Sequence, residues 1–285
     1  MKTVAIISKP GRPQLAEVAA RLVQWLRANG YGVIADAETC AVVGSLECAA
    51  RESIAARNPE FVVVLGGDGT MLSAARSVAQ AGIPILGVNL GSLGFMTEVR
   101  AEELETTLAA LGRKQCVVDA RGMLHCQLVR DGKCVAGYEA LNDIVVNKAA
   151  LARMVDFDVY VNQQFVSNYK ADGVIIATPT GSTAYSLAAG GPILTPDVNA
   201  FVITPVSPHA LTNRPLVVPD RSEIMVEVKQ PQEEAHLTVD GQTGGPLRQG
   251  DRIVCRKSEH RIQLLHLPHR NFFDVLRAKL KWGQR

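Results

Sequence analysis

The chain has 285 residues, enough for one large domain or two ordinary domains, and 47% of them are hydrophobic and 20% charged, which excludes a disordered chain. Its 30 basic and 28 acidic residues give a net charge of +2, so charge provides no support for nucleic acid or a membrane surface as a partner. No apolar run approaches the roughly 20 residues of a membrane span, and the first apolar run is too short for a signal peptide. The expected location is therefore the cytoplasm.

Cysteine and histidine residues give no sign of a metal centre. The six cysteines form no CxxC pair, and their spacing fits neither a zinc site nor a small disulfide scaffold, so we expect buried free thiols. The histidines form no HExxH pair, and we expect no protein ligand set for a metal. The cysteines are Cys40, Cys48, Cys116, Cys126, Cys134 and Cys255.

The first 115 residues alternate short apolar runs with segments of helical periodicity. This alternation predicts a parallel sheet with helices on both faces. One GxGxxA match, at residues 30–35, follows a helix and enters a strand, which is the wrong context for a dinucleotide-binding turn. The predicted strands are 4–8, 31–35, 61–65 and 83–88, and the predicted helices are 15–26, 45–57, 71–80 and 101–111.

The most informative segment is the apolar run 61–65 followed by GGDGT at residues 66–70. Its three glycines allow a sharp turn, and Thr70 is a candidate N-cap for the next helix. A strand, a glycine turn and a helix N-terminus together present backbone N–H groups to a phosphate. A carboxylate repels phosphate, so Asp68 indicates a base or a metal partner beside the phosphates. The alternative interpretation is a tight surface turn in which an Asp tolerates unusual backbone angles.

A second glycine loop, NLGSLGF at residues 89–95, follows the strand 83–88. Ligands of open α/β sheets bind outside the carboxyl ends of the strands. We therefore expect the two glycine loops to face the same crevice.

After about residue 116 the sequence becomes rich in short strands with polar breaks. Asp131-Gly132 is a strong hairpin signal and Asn162-Gln163 is a weaker one. These features predict an antiparallel all-β domain, followed by an amphipathic, basic helix at residues 272–282. The charged face of that helix, with Arg277, Lys279 and Lys281, is expected to be solvated.

A second cluster of polar residues follows the apolar strand 173–178, where TPTGSTAYS precedes a helix-like run. Short hydroxyl side chains beside a helix start suit phosphate, ribose or base-edge contacts. Such a cluster is more often an ordinary capped turn, but together with GGDGT it favours a nucleotide site. Neither GxxxxGK[ST] nor GxSxG occurs, which argues against a P-loop kinase and an α/β-hydrolase.

Over nearly its whole length the chain resembles the bacterial ATP-dependent NAD kinases. The GGDGT segment alone is shared with lipid kinases and the phosphofructokinase-like superfamily, whereas TPTGSTAY and PVSPHALTNRPLV are more specific. The matching segments are GGDGT at 66–70, NLGSLGF at 89–95, LND at 141–143, DGVIIATPTGSTAYSLAAGGPI at 172–193 and ITPVSPHALTNRPLVVP at 203–219.

The resemblance implies a fold and an activity. The fold is a Rossmann-like α/β domain with a parallel sheet at residues 1–116, an antiparallel β domain at 117–266, and a helical tail at 267–285 that returns to the first domain. The implied reaction is transfer of the γ-phosphate of ATP to the 2′-hydroxyl of the adenosine ribose of NAD, giving NADP. A divalent cation, normally Mg²⁺, and a homodimer or homotetramer are also implied.

Individual residues take roles from the same resemblance. Asp68 matches the general base, Gly69 its neighbour at the dinucleotide, and Asn142 with Asp143 a dinucleotide-binding pair, although many members carry Glu at the second position. The glycine turn would donate backbone N–H groups to phosphate oxygens, and the residues of this phosphate loop are Gly66, Gly67, Gly69 and Thr70. Further positions that match ligand contacts are Arg153, Lys170, Asp172, Thr183, Ala184, Tyr185, Ser186, Leu187, Ala188 and Gln242.

Two other functions remain open from the sequence. A lipid kinase of the same superfamily would share GGDGT, but it would need an exposed apolar entry surface. A nucleotide-binding regulator that senses NAD(P) without catalysis would have no need of a base at Asp68. The identity of the phosphate donor, ATP or inorganic polyphosphate, and the use of NADH are likewise open.

Overall fold

The computed structural model describes residues 2–148, 154–230, 235–268 and 271–283. Its helices are α1 (Leu15–Ala28), α2 (Ala37–Val43), α3 (Asp68–Val78), α4 (Leu104–Gly112), α5 (Tyr185–Ala188) and α6 (Phe272–Leu280). Its strands are β1 (Thr3–Ser8), β2 (Gly32–Ala35), β3 (Glu47–Cys48), β4 (Phe61–Leu65), β5 (Ile85–Asn89), β6 (Val99–Arg100), β7 (Val117–Arg130), β8 (Lys133–Ala140), β9 (Asp143–Lys148), β10 (Val155–Val161), β11 (Gln164–Ala171), β12 (Gly173–Ala177), β13 (Ala200–Val206), β14 (Leu216–Pro219), β15 (Ile224–Gln230), β16 (Ala235–Val239), β17 (Thr243–Leu247) and β18 (Arg252–His266).

The chain divides into two compact units. Unit 1 consists of Met1–Ala120 and His260–Arg285, and unit 2 consists of Arg121–Glu259. Helix α6 therefore belongs to unit 1, and the predicted return of the C-terminal helix is confirmed. Within the described ranges, no helix has both the length and the apolar character needed to cross a membrane.

Unit 1 contains a parallel sheet, as predicted, with strand order β5–β4–β1–β2–β3. The end of β18 joins it beside β5, where Leu264 pairs with Ile85. All five residues of β4 are buried, which explains its unbroken apolar sequence. One face of α1 packs against the sheet through Leu15, Val18 and Leu22, and each such side chain contributes about 2 kcal/mol by leaving water.

The predicted helix at residues 45–57 is wrong. This segment contains strand β3 and two short 3-10 turns, Arg51–Ser53 and Ala55–Arg57. The sequence prediction missed the helix that lies just before it, α2. The carboxylate of Asp36 begins α2 by accepting a hydrogen bond from Thr39 N at 3.0 Å, and Gly44 at φ 64° ends it.

The expectation that all cysteines are free is also wrong. Cys40 in α2 and Cys48 in β3 form a disulfide, with their Cα atoms 6.2 Å apart. This Cα separation is ordinary for a disulfide, and it depends on two elements that the sequence did not predict. The other four cysteines are free, and Cys126 and Cys255 among them are buried.

Unit 2 is built from antiparallel strands, as predicted. One sheet has the order β14–β13–β12–β9–β16–β17, and a second run has the order β11–β10–β15–β18. Both predicted hairpin turns form: Asp131 and Gly132 have φ values of 50° and 73°, and Asn162 and Gln163 have 50° and 65°. Strand β17 was missed because its sequence, TGGPL, contains few strand-forming residues.

The disulfide predicts a definite thiol count. Denatured protein that has not been reduced should show four thiols with a thiol-specific reagent, and reduced protein should show six, because only Cys40 and Cys48 are bonded. A count of six without reductant would contradict the bond. Such a count would also fit a reducing compartment, where stable disulfides are rare.

Candidate active site

The GGDGT segment forms the junction between β4 and α3. Gly67 is the N-cap of α3, and the helix begins at Asp68. Thr70 therefore lies inside the first turn, and its predicted role as N-cap is wrong. Its side chain packs on Gly66 so closely that a Cβ at Gly66 would lie 2.5 Å from Thr70 Oγ1. The glycine at position 66 is required by this packing.

The carboxylate of Asp68 connects the two glycine loops. Oδ2 accepts a hydrogen bond from Phe95 N at 2.9 Å, and Oδ1 accepts one from Met96 N at 3.0 Å. Gly94 lies so close that a Cβ there would be 2.2 Å from Asp68 Oδ1. Both carboxylate oxygens are thus oriented by backbone groups of the second loop, a role that the sequence prediction did not include.

The same edge of the parallel sheet carries both glycine loops. Strands β1, β4 and β5 are adjacent, with Ser8 paired to Leu65 and Leu65 paired to Val88. The loops after these strands surround a cavity of about 130 Å³. The expected common crevice is therefore present in unit 1. Its lining residues are Arg12, Gly66, Gly67, Asp68, Asn89, Leu90, Gly91, Ser92, Gly94 and Lys279.

A larger cavity, of about 340 Å³, lies within unit 2. It brings together four of the predicted site residues, Asn142, Asp143, Ala184 and Tyr185. Five further residues line it and were missed by the sequence analysis: Val145, Asn147, Thr238, Asp240 and Gly241. The alternating patterns of β9 and β16 are a signal for Val145, Asn147 and Thr238, because every second residue of a strand lies on the same face. Asp240 and Gly241 lie in the turn after β16.

Asp240 orders the backbone that carries the predicted pair. Its carboxylate accepts hydrogen bonds from Leu141 N at 3.1 Å, Asn142 N at 2.8 Å and Asp143 N at 3.2 Å. Asp240 itself has φ 50° in the turn after β16. The arrangement resembles that of Asp68, since one carboxylate again fixes successive backbone N–H groups of a distant loop.

The carboxyl group of Asp143 is buried in the wall of the unit 2 cavity. Burial, and then the negative charge of Asp240, raise the pKa of Asp143 from its ordinary value of 3.8 to about 7. The protonation state of Asp143 therefore changes near neutral pH.

Two buried acceptors line the same cavity without a partner in the described chain. The side-chain oxygens of Asn142 and Asn147 accept no hydrogen bond from any described residue. A buried acceptor without a donor costs roughly 1–3 kcal/mol. A ligand that presents N–H or O–H groups in this cavity would satisfy both oxygens.

The TPTGSTAYS segment packs directly against the Asn142 backbone. Thr178 Oγ1 donates to Leu141 O at 2.5 Å and accepts from Gly181 N at 3.1 Å. A Cβ at Gly181 would lie 2.0 Å from Asn142 O, so only glycine fits there. Most of the hydroxyl groups in this segment thus shape the loop, and Tyr185, which is 45% exposed, forms part of the cavity wall.

The other predicted site residues do not line either cavity. The hydroxyl of Ser186 is buried and shares a 2.8 Å hydrogen bond with Thr204, and Thr183 Oγ1 donates to Thr180 O. Asp172 pairs with Lys148 at 2.9 Å, and the side chain of Lys170 is exposed. Leu187 and Ala188 belong to α5, Gln242 is exposed beside Gly241, Gly69 is exposed in the first turn of α3, and Arg153 lies outside the described residues.

Protein ligands for a metal do not gather at either cavity. Within residues 2–148, 154–230, 235–268 and 271–283, no three His, Cys, Asp or Glu side chains are grouped so that they could bind a metal ion. Asp68 is the one acidic residue among those that line the unit 1 cavity.

Comparison with protein families assigns both halves of the chain. The ATP-NAD kinase N-terminal domain matches residues 4–115, and the ATP-NAD kinase C-terminal domain matches residues 141–267. The chain belongs to the NAD kinase family. As an NAD kinase it is a phosphotransferase that makes NADP by phosphorylating the 2′-hydroxyl of the adenosine ribose of NAD with ATP. The family resemblance in the sequence is confirmed, in preference to the lipid-kinase and sensor alternatives.

Similar proteins include NAD kinases from several organisms. The chain is 57% identical to the NAD kinase of Koribacter versatilis and 50% identical to that of Acidobacterium capsulatum, in each case over the full length of both chains. It is also similar to yeast NADH kinase complexed with NADH, with TM-score 0.89 and 26% identity over 100% of this chain and 89% of the yeast chain. An NAD kinase from Archaeoglobus fulgidus in complex with ATP gives TM-score 0.77 and 26% identity over 97% and 99% of the two chains.

Replacing Gly94 should disturb the Asp68 carboxylate. In Gly94→Ala the new methyl group would overlap Asp68 Oδ1, so we expect NADP formation to fall about 100-fold, the size of effect that a displacement of about 1 Å within a site can have. The measurement is steady-state turnover with NAD and ATP. The control is Gly112→Ala, since a Cβ at Gly112 meets nothing within 4 Å. Equal turnover in the two variants would contradict the close contact.

The raised pKa of Asp143 predicts a pH-dependent stability. The pKa of Asp143 is about 7 in the folded protein, above its ordinary value of 3.8. At pH values between these two, folding takes up a proton. The free energy of unfolding therefore falls as pH rises from about 4 to about 7. The slope is at most about 1.4 kcal/mol per pH unit. The melting temperature of the wild type should therefore rise relative to that of Asp143→Asn as pH falls through this window. Parallel curves would contradict the shift.

Proposed function

We propose that Asp68 is the general base of this NAD kinase, that the glycine loops of unit 1 bind the phosphates of ATP, and that the cavity of unit 2 binds NAD. The observation that carries the proposal is the fixed position of the Asp68 carboxylate beside two glycine loops in one cavity. The ligands named for similar solved structures, NADH for the yeast enzyme and ATP for the Archaeoglobus fulgidus enzyme, support the two kinds of nucleotide.

The hydrogen bonding of Asp68 suits a base. An ionised carboxylate has about four acceptor positions. The backbone N–H groups of Phe95 and Met96 take two of them, and the Thr97 hydroxyl takes a third at 3.4 Å from Oδ1. The remaining position, on Oδ2, is available to a substrate hydroxyl. Because the two N–H groups fix the carboxylate, it need not reorganise when the hydroxyl arrives.

The proposed step is an in-line transfer. An Asp68 oxygen accepts the proton of the 2′-hydroxyl while the hydroxyl oxygen forms a bond to the γ-phosphorus. The bond between the γ-phosphorus and the bridging oxygen breaks, and its electron pair leaves with ADP. A positioned base contributes about 10²–10⁴-fold to such a reaction, and positioning with charge neutralisation contributes most of the rest.

The phosphate loop that we propose consists of Gly66, Gly67, Gly69 and Thr70. The cavity beside Gly66 and Gly67 lies at the N-terminus of α3, where helix N–H groups and the helix dipole favour an anion. Thr70 contributes through its packing on Gly66, because its hydroxyl is directed at that residue.

The NAD site that we propose is centred on Asn142, Asp143 and Tyr185. The two unpartnered oxygens, of Asn142 and Asn147, suit the amino and hydroxyl groups of an adenosine. Asp143 above its pKa adds a charged acceptor, and the exposed ring of Tyr185 offers a surface for stacking. Asn147 joins the proposed contacts although the sequence analysis did not include it.

The divalent cation that we propose is Mg²⁺ bound to ATP. When bound, it neutralises phosphate charge and orients the γ-phosphate. Mg²⁺ usually keeps several waters and few protein ligands, and the single carboxylate of the unit 1 cavity fits an ion that arrives with the nucleotide. The roles of Arg153, Lys170, Asp172, Thr183, Ser186, Leu187, Ala188 and Gln242, the homodimer or homotetramer, and the cytoplasmic location stay predictions.

Replacing Asp68 tests the base. In Asp68→Asn we expect NADP formation, measured with an NADP-specific dehydrogenase, to fall at least about 100-fold while NAD affinity stays nearly unchanged. Asp131→Asn is the matched control, because this hairpin turn accepts Asn at positive φ and lies outside both cavities.

Asp68 also orders the second glycine loop, so the test needs a readout that separates the two roles. The acidic limb of the pH profile of kcat should disappear in Asp68→Asn if the carboxylate accepts the proton. Near-normal turnover in Asp68→Asn would contradict the assignment of Asp68 as the base. So would slow turnover that keeps the acidic limb of the wild-type pH profile.

A further inference from the structure

The three basic residues of α6 have different surroundings. Arg277 pairs with Asp274 one turn earlier in the helix, and Lys281 is exposed at the helix end with φ 55°. Lys279 alone of the three lines the cavity formed by the glycine loops. The charged face that was expected to be solvated therefore includes one residue, Lys279, that also lines a cavity.

Helix geometry explains the position of Lys279. Val275 and Leu276 are buried and attach α6 to unit 1. Residues three and four positions apart share a helix face, so Lys279 lies on the same face as these two. Lys279 is half-buried and lines the cavity beside this packed face, as a long side chain with an apolar stem and a charged end can do.

Arg12 reaches the cavity from another direction. It follows β1, in a loop where Gly11 has φ 73° and Lys9 N donates to Leu65 O at 3.0 Å. That hydrogen bond keeps the start of the loop beside the end of β4. Arg12 and Lys279 thus come from opposite ends of the chain and share the wall of one cavity.

The charge of this cavity is unbalanced. Two cations and one acid, Asp68, line it. In the described parts of the chain, no acidic side chain forms a salt bridge with Arg12 or Lys279, whereas Arg277 has Asp274. Two cations that converge without an acidic partner are stabilised by an anion placed between them.

We propose that Arg12 and Lys279 bind the polyphosphate chain of the phosphate donor in this cavity. This inference rests on the proposed function, since it names residues for the donor half of that site. The forked guanidinium of Arg12 suits two oxygens of one phosphate, and the ammonium of Lys279 acts as a point charge. Together they offset the charge that the leaving nucleotide gains.

The same arrangement makes the C-terminal helix part of donor binding. A donor is recognised here by phosphate oxygens, since the glycine turn, Arg12 and Lys279 present N–H groups and cations. Inorganic tripolyphosphate shares these oxygens with ATP. It should therefore bind the same cavity without a nucleoside.

The test measures donor binding and turnover separately in Arg12→Gln and Lys279→Gln. Each substitution should raise the KM for ATP about tenfold or more, leave the KM for NAD unchanged, and weaken calorimetric binding of tripolyphosphate by a similar factor. Lys279→Arg should recover most of the affinity. Lys281→Asn removes a charge from the same helix at a position where positive φ favours Asn, and it should change neither constant.

The outcomes separate this proposal from the proposed function. Wild-type protein that binds tripolyphosphate but makes no NADP, with weaker binding in both variants, would uphold the cation pair and overturn the kinase step. Unchanged tripolyphosphate and ATP constants in folded Arg12→Gln and Lys279→Gln would overturn the cation pair and leave the kinase intact. Absence of polyphosphate binding in the wild type would also overturn the pair. Arg12 lies in an exposed loop, so we expect Arg12→Gln to fold. Its binding constants therefore test the proposal even if Lys279→Gln fails to fold.

Discussion

The hydrogen bonds from Phe95 N and Met96 N to the Asp68 carboxylate are the interaction on which the rest of the site depends. They connect a loop after β5 to the first turn of α3, and they fix the position of the proposed base. Gly94 must be glycine because any side chain there would occupy the place of the carboxylate. The motif GGDGT therefore needs the second glycine loop for its geometry, and neither segment makes the cavity alone.

Unit 2 contains a second carboxylate that accepts hydrogen bonds from successive backbone N–H groups. Asp240 accepts hydrogen bonds from three successive backbone N–H groups, at Leu141, Asn142 and Asp143, and so shapes the wall of the larger cavity. The arrangement has an electrostatic consequence, since the charge of Asp240 and burial together keep Asp143 protonated up to about neutral pH. The carboxylate of Asp240 thus orders backbone groups and also helps to raise the pKa of Asp143.

Close backbone packing accounts for much of the glycine and hydroxyl content of the two motifs. Gly181 lies against the carbonyl of Asn142, and Thr178 bridges Leu141 and Gly181. In the sequence these residues suggested direct nucleotide contacts. Their contacts show that they position the backbone of Leu141 and Asn142, and Asn142 lines the cavity. A hydroxyl-rich loop can therefore indicate a binding site correctly although few of its hydroxyl groups face the ligand.

The sequence by itself determined the fold class, most strands, both hairpin turns and the reaction, because buried strands and glycine turns leave local patterns and the motifs are specific to a family. Only the tertiary structure decided which side chains share a cavity. Arg12 and Lys279 are 267 positions apart in the sequence, and they line one cavity because the C-terminal helix belongs to unit 1. The disulfide between Cys40 and Cys48, the partners of Asp68 and the cavity position of Asn147 were likewise set by packing. Contacts between distant segments depend on how strands order themselves in a sheet, and local sequence patterns carry no record of that order.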